Sequence, residues 1–368
     1  MLGNLSRRTG ATIPQMANRL STISRHLSGT PTIGPINGTK PRVVLGLMTF
    51  GPPGSEPAGA RITSLDEFNR CLDYLQSEGY SEIDTARVYV DGKQEAFTRD
   101  AKWKERGLQV ATKVYPTKPG MHSPEYLRRT FEKSLRELGT DSVEIFYLHA
   151  PDRSVPFETT MKAVNELYKE GKFQQLGVSN YAAWEVAELW NIANERGYVK
   201  PTIYQAMYNA IARNIDVELV PCCRKYGIDL IIYNPLAGGI LSGKYKSADV
   251  PDEGRFSRTN DRQGKMYRDR FFKDATFEAL RYIEPVVQKH NLTLVETALR
   301  WVIHHSLLKF NGVVEGGNDG ILVGVSSLKQ LESNLEDIYK GPLPEEVVRT
   351  LDQAWINLTK ATSDTYWR

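Results

Sequence analysis

The chain has 368 residues, 40% hydrophobic and 25% charged, an ordinary globular balance that excludes a wholly disordered protein. Lys and Arg number 47 against 44 Asp and Glu, and a net charge of +3 makes no case for nucleic acid or a membrane surface as partner. No run reaches the ~18 apolar residues of a spanning helix, and three cysteines, Cys71 and the adjacent Cys222 and Cys223, suit neither a disulfide framework nor a cysteine-built zinc site.

Residues 1–40 differ in kind from the rest. Arg7, Arg8, Arg19, Arg25 and Lys40 are interleaved with Ser6, Ser21, Ser24 and Ser28, and the first acidic residue of the chain is Glu56. Arg-rich, Ser-rich and acid-free is the composition of a mitochondrial transit peptide. Leu20, Ile23 and Leu27 add helical spacing beside Arg19 and Arg25. Two readings stand, a mitochondrial leader or a disordered basic leader on a cytoplasmic protein. A secretory signal would need a compact apolar stretch after the charges.

From residue 41 a barrel domain is expected to run to the C-terminus at 368. Runs rich in Val, Ile and Tyr predict strands at 43–50, 82–85, 109–114, 143–148, 175–178, 203–208, 230–234 and 321–325. Helical periodicity predicts amphipathic segments near 65–78, 93–105, 123–138, 157–170, 182–196, 215–226, 275–306 and 327–338. Gly79, Gly139, Gly171, Gly197 and Gly227 read as helix C-caps ahead of strands. Eight strands each followed by a helix are the arithmetic of an α/β protein with a (β/α)8 TIM barrel. A doubly wound open sheet is the alternative, but Leu45 to Gly51 does not fit its glycine fingerprint. The connection from Ala237 to about Phe272 is too long for an ordinary loop. It reads as a lid over a ligand or, alternatively, as a surface insertion.

Polar residues gather at predicted strand ends. Asp84 ends the second strand and Tyr89 follows in the next loop, Lys113 ends the third, and His149 closes the fourth. In a barrel these ends share one face, the face where active sites are built. A tyrosine hydroxyl titrates near 10, and a buried ammonium beside it is expected to lower that value. A carboxylate would compensate the lysine, and a histidine would orient a carbonyl oxygen. The set suits protonation of a carbonyl oxygen while hydride arrives at carbon, and no metal is required.

Asp84-Thr85-Ala86 with Tyr89, Ala111-Thr112-Lys113, and Tyr147 to Asp152 resemble the catalytic signatures of the aldo-keto reductases. The likeness continues through Gly177 to Asn180, Gln205, Tyr233 to Leu236, and Gly324 to Ser327 with Gln330 and Asn334. Within that superfamily the sequence is most similar to the aflatoxin-aldehyde reductase branch, which includes succinic semialdehyde reductases. Asn234 to Gly239, Gly243 to Tyr245, Gly254 to Phe256, Tyr267 to Phe271 and Tyr366-Trp367-Arg368 carry that closer match. The polar segment between Arg255 and Tyr267 departs from the branch.

The resemblance implies an oxidoreductase that reduces aldehydes with NADPH, in detoxification or in a dedicated step of secondary metabolism. A barrel serving as a nucleotide-binding regulatory subunit of a channel, with little turnover, is the non-enzymatic alternative. Tyr89 would be the general acid, Lys113 and Asp84 its support, and His149 the carbonyl-orienting group. Tyr233 would stack on the nicotinamide, with Ser179, Asn180 and Gln205 on its carboxamide. Asn234, Pro235, Leu236, Gly238, Gly239, Leu241 and Gly243 would follow the cofactor, with Lys244 and Arg255 toward its phosphates. Ser326, Ser327, Gln330 and Asn334 would lie against adenosine. Met48, His149, Tyr267, Arg270 and Arg368 would meet a small carbonyl substrate, the two arginines favouring a carboxylate-bearing or dicarbonyl one. The branch further suggests a homodimer.

Overall fold

Period-two alternation explains how the strands close. Val44, Ala111, Ile145, Tyr147, Ile203 and Ile231 form one buried cluster with Leu322, one or two residues from each of six strands. These are the inward positions, and the intervening residues point out to the helices. The computed structural model describes residues 40–368 apart from Glu253, Thr259 and Asn260. The expected leader therefore lies outside the described residues, save Lys40.

The strands are β1 (Arg42–Gly46), β2 (Glu82–Asp84), β3 (Gln109–Val114), β4 (Val143–Leu148), β5 (Phe173–Ser179), β6 (Pro201–Met207), β7 (Asp229–Tyr233) and β8 (Gly320–Gly324). They form a closed parallel barrel in sequence order, β8 pairing back onto β1 with Gly46 opposite Gly324. The open-sheet alternative is thereby excluded. Outside lie α1 (Leu65–Ser77), α2 (Gln94–Asp100), α3 (Pro124–Leu138), α4 (Phe157–Lys169), α5 (Ala183–Arg196) and α6 (Leu219–Tyr226). They continue as α7 (Asp261–Phe271), α8 (Asp274–Lys289), α9 (Leu294–His305), α10 (Leu328–Ile338) and α11 (Glu345–Ala354). All five expected C-cap glycines adopt the left-handed conformation. Among the described residues no helix is long and apolar enough to cross a membrane.

Several elements differ from expectation. β1 stops at Gly46 because its neighbour β2 is only three residues long, and Phe50 N–H turns back to the Leu47 carbonyl. α2 ends at Asp100, and Lys102 then takes φ 56. The predicted segment 275–306 is two helices, broken at left-handed Asn291 and restarted by Thr293, whose side chain accepts from Glu296 N–H. The long connection after β7 is no structureless loop, since it contains α7, and α11 was not anticipated at all.

Candidate active site

On several strands the inward position near the C-terminal end is polar where the position below it is not. Ala111 is followed on the same face by Lys113, Ile203 by Gln205, and Ile231 by Tyr233. Asp84 ends β2 opposite Ala111, and Tyr147 on β4 lies opposite both Lys113 and Gly177. Gly177 is required there, because a Cβ would run into the Tyr147 ring. The barrel mouth is thus floored by polar groups.

Lys113 and Asp84 are fully buried and ion-paired through Nζ and Oδ1. Lys113 Nζ also donates to the Thr85 carbonyl at 2.7 Å and lies 3.4 Å from the Tyr89 hydroxyl. The other Asp84 oxygen accepts from Gln205 Nε2 at 2.9 Å. Burial pushes Asp84 up and Lys113 down, and each holds the other back. Tyr89 and His149 are half-buried, with ring centroids 6.1 Å apart and edge to face. The four residues expected at strand ends do converge.

The titration of Tyr89 runs opposite to expectation. Burial pushes the phenol well above its ordinary range, and the Asp84 charge pushes the same way, followed by Tyr267, Tyr233 and Tyr147. The ammonium of Lys113 is engaged with Asp84, so its pull on the phenol does not prevail. Tyr89 therefore stays protonated through the neutral range. Burial, then the charges of Lys113 and Arg368, holds His149 well below the usual histidine range, so its imidazole is neutral. Its Nδ1 has no hydrogen-bond partner among the described residues.

The ends of β5 and β7 carry the residues expected to hold a nucleotide. Ser179 and Asn180 are buried, and Asn180 donates to the His149 carbonyl at 2.8 Å and accepts from Tyr233 at 3.2 Å. Asn180, Asn234 and Ala237 are left-handed, and Gly238 and Gly239 follow at φ 70 and 110. A Cβ on Gly238 would come within 2.7 Å of the Tyr267 ring. Asn234 accepts from Tyr267 at 3.3 Å, while its buried Nδ2 has no partner among the described residues. A half-buried tyrosine ring, an unsatisfied amide and a tight glycine turn fit a nicotinamide nucleotide. Pro235 and Leu241 are buried, Leu236 and Gly243 half-buried, and Lys244 exposed. Arg255 lies over Tyr267, 4.7 Å from the ring centroid.

Around β8, Ser327 caps α10 by accepting from Gln330 N–H, and the Gln330 amide oxygen accepts from Ser326 at 2.9 and 3.0 Å. Asn334 is buried within α10. Gln205 faces Asp84 rather than standing open.

The substrate candidates line the mouth. Met48 is half-buried and Tyr267 buried. Arg270, on α7, lies 4.0 Å from Asp364, and its Nε has no hydrogen-bond partner among the described residues. Arg368 N–H donates to the Asn180 carbonyl at 3.0 Å. Tyr366 anchors the tail, donating to Glu218 at 2.7 Å and accepting from Ala183 N–H. Arg270, Met266, Asp364, Trp367 and Arg368 help line an open groove of about 580 Å³.

Sequence reasoning missed several neighbours. Tyr115 packs edge to face on His149 at 5.3 Å. Arg61, from the loop after β1, is close enough to Arg255 for the two charges to repel. Gln263 of α7 donates to the Ala58 carbonyl at 3.3 Å, joining the connection after β7 to the one after β1. Only Tyr115, two residues beyond Lys113 and so on the same side of an extended segment, had a sequence signal that placed it on this face.

A closed parallel barrel with this polar mouth suits the chemistry of a carbonyl group, and the comparisons with known proteins name the family. A sequence model of the Aldo/keto reductase family matches residues 42–356. The chain is 44% identical to an aldo-keto reductase of Pseudocercospora fijiensis, over 77% of this chain and 96% of that protein. It is 41% identical to the aldo-keto reductase pigE of Monascus ruber, over 88% and 96%. It is 39% identical to aflatoxin B1 aldehyde reductase member 2 of Mus musculus, over 89% and 88%. The chain belongs to the aldo/keto reductase family and is an oxidoreductase.

Proposed function

We propose that the protein reduces aldehydes to alcohols with NADPH, favouring substrates that carry a carboxylate or a second carbonyl. One observation carries the reading. A fully buried lysine, neutralised by Asp84, sits 3.4 Å from the Tyr89 hydroxyl at the barrel mouth. That cost in desolvation has a chemical use if the phenol moves a proton.

Tyr89 gives its proton to the carbonyl oxygen of the substrate. Lys113 stabilises the phenolate left behind, and Asp84 holds Lys113 in place. The neutral imidazole of His149 donates a hydrogen bond to the same oxygen and orients it. NADPH, when bound, supplies the hydride that reaches the carbonyl carbon. Tyr233, Ser179 and Asn180 would hold the nicotinamide end, the turn from Asn234 to Gly243 the middle, and Ser326 to Asn334 the adenosine. Lys244 and Arg255 would meet the phosphates, which favours NADPH over NADH. Arg270 and Arg368 would hold the substrate carboxylate through guanidinium hydrogen bonds.

The test is loss of NADPH absorbance with purified protein on succinic semialdehyde, 2-carboxybenzaldehyde and an uncharged aromatic aldehyde. The expected result is faster turnover of the two acids. Turnover of the uncharged aldehyde alone would keep the chemistry and reject the carboxylate site. NADPH binding without turnover would reject the reductase reading in favour of a nucleotide-sensing subunit.

A further inference from the structure

A second buried charge lies behind the loop that carries Tyr89, and the proposed chemistry does not use it. Glu95, in the first turn of α2, is fully buried. One of its carboxylate oxygens is in ion-pair contact with Arg87. The other accepts from Thr112 Oγ1 at 2.6 Å. Thr112 directly precedes Lys113, and Arg87 lies between Asp84 and Tyr89 in the chain.

Arg87 closes the loop in two more ways. Its backbone N–H donates to the Lys113 carbonyl at 3.0 Å, and its Nη2 donates to the Gly92 carbonyl. The guanidinium thus reaches from the start of the loop to its end while facing Glu95. A forked, planar cation makes both contacts in one fixed geometry.

The loop needs such a tie. Val90 and Asp91, immediately after Tyr89, both take left-handed conformations, at φ 49 and 51. Residues without glycine's freedom persist there only when their surroundings over-determine them. Removing the carboxylate from water is costly, and surface contacts would hold an ordinary loop at less cost.

We infer that the Arg87–Glu95 pair is a positioning device that fixes the Tyr89 hydroxyl against Lys113, by tying the Tyr89 loop to the outward side of β3. Neither residue touches the reacting atoms. The inference rests on the reading of Tyr89 as the general acid.

The experiment compares full-length Glu95→Gln, Arg87→Lys, Arg87→Met and Tyr89→Phe with the parent, measuring kcat, KM, and NADPH affinity by fluorescence titration. For Glu95→Gln the expected result is a kcat lowered roughly ten-fold or more, as for a small misplacement of a reacting group, with KM and NADPH affinity within about two-fold. Arg87→Lys should recover part of the kcat lost in Arg87→Met. A parent-like kcat in folded Glu95→Gln, beside an inactive Tyr89→Phe, would overturn the inference while leaving the acid reading intact. Parallel loss of kcat and NADPH affinity would also overturn it, as the mark of general damage. Full turnover in Tyr89→Phe would instead remove the acid reading itself. If Glu95→Gln does not fold, the two Arg87 variants decide, and equal kcat in both overturns the inference.

Discussion

Both ends of the barrel bury ion pairs, but they differ in what surrounds them. At the N-terminal end Arg42 is fully buried, and its guanidinium meets both oxygens of Glu82, at 2.8 and 2.6 Å. Asp319 pairs with Arg224 and also accepts from Leu230 and Lys309 N–H, at 2.8 and 2.6 Å. At the C-terminal end His149 Nδ1, Asn234 Nδ2 and Arg270 Nε have no hydrogen-bond partner among the described residues. Left-handed residues other than glycine follow the same division. Val90, Asp91, Asn180, Asn234 and Ala237 all lie at the mouth, while Lys102 and Asn291 sit at helix ends. At the mouth, strained turns and open polar atoms beside the closed Lys113–Asp84 pair leave room for a ligand, whereas the ion pairs described at the N-terminal end are saturated.

Mutations at the two ends should therefore separate stability from activity. Arg42→Met leaves Glu82 buried without its partner and should lower the unfolding free energy by about 3–5 kcal/mol. Chemical denaturation measures this, and the folded fraction should keep its kcat. A matching fall in kcat would erase the distinction between the ends.

His122, on the mouth side, gives a separate test of stability by pH. It is buried in the loop between β3 and α3, and burial lowers its pKa to about 4. The unfolded chain binds this proton more readily, near pH 6.5, so stability is complete above that pH and is lost as pH falls toward 4. The loss is on the order of 3 kcal/mol. Thermal melts across this window should show a shallower decline in His122→Gln than in the parent, and identical slopes would contradict the assignment.

Arg270→Ala is the subtlest change. It should raise KM for acidic aldehydes about ten-fold, or ~1.4 kcal/mol, and leave uncharged aldehydes nearly unaffected. An even effect on both would remove Arg270 from carboxylate recognition.

The barrel was legible because strand composition and glycine caps are local signals that tertiary packing reinforced. Asp84, Lys113 and His149 were legible because each interrupts an apolar strand at its end. What the sequence hid was pairing between elements. Glu95 sits among Gln94, Thr98 and Arg99 and reads as part of a solvated helix face, yet it is buried against Arg87 and Thr112. The break at Asn291 was hidden because α8 and α9 carry the same periodicity on both sides of it. The direction of the Tyr89 shift was also beyond reach, since it comes first from burial of the phenol and then from the charge of Asp84 beside it.

The most direct test of the account is Tyr89→Phe, with aldehyde turnover and NADPH affinity measured on one preparation. Turnover should fall by roughly a thousand-fold or more while NADPH affinity stays within about two-fold, as for a group that acts only in proton transfer. Retained turnover, or equal loss of turnover and binding, would contradict a tyrosine acid at the mouth of this barrel.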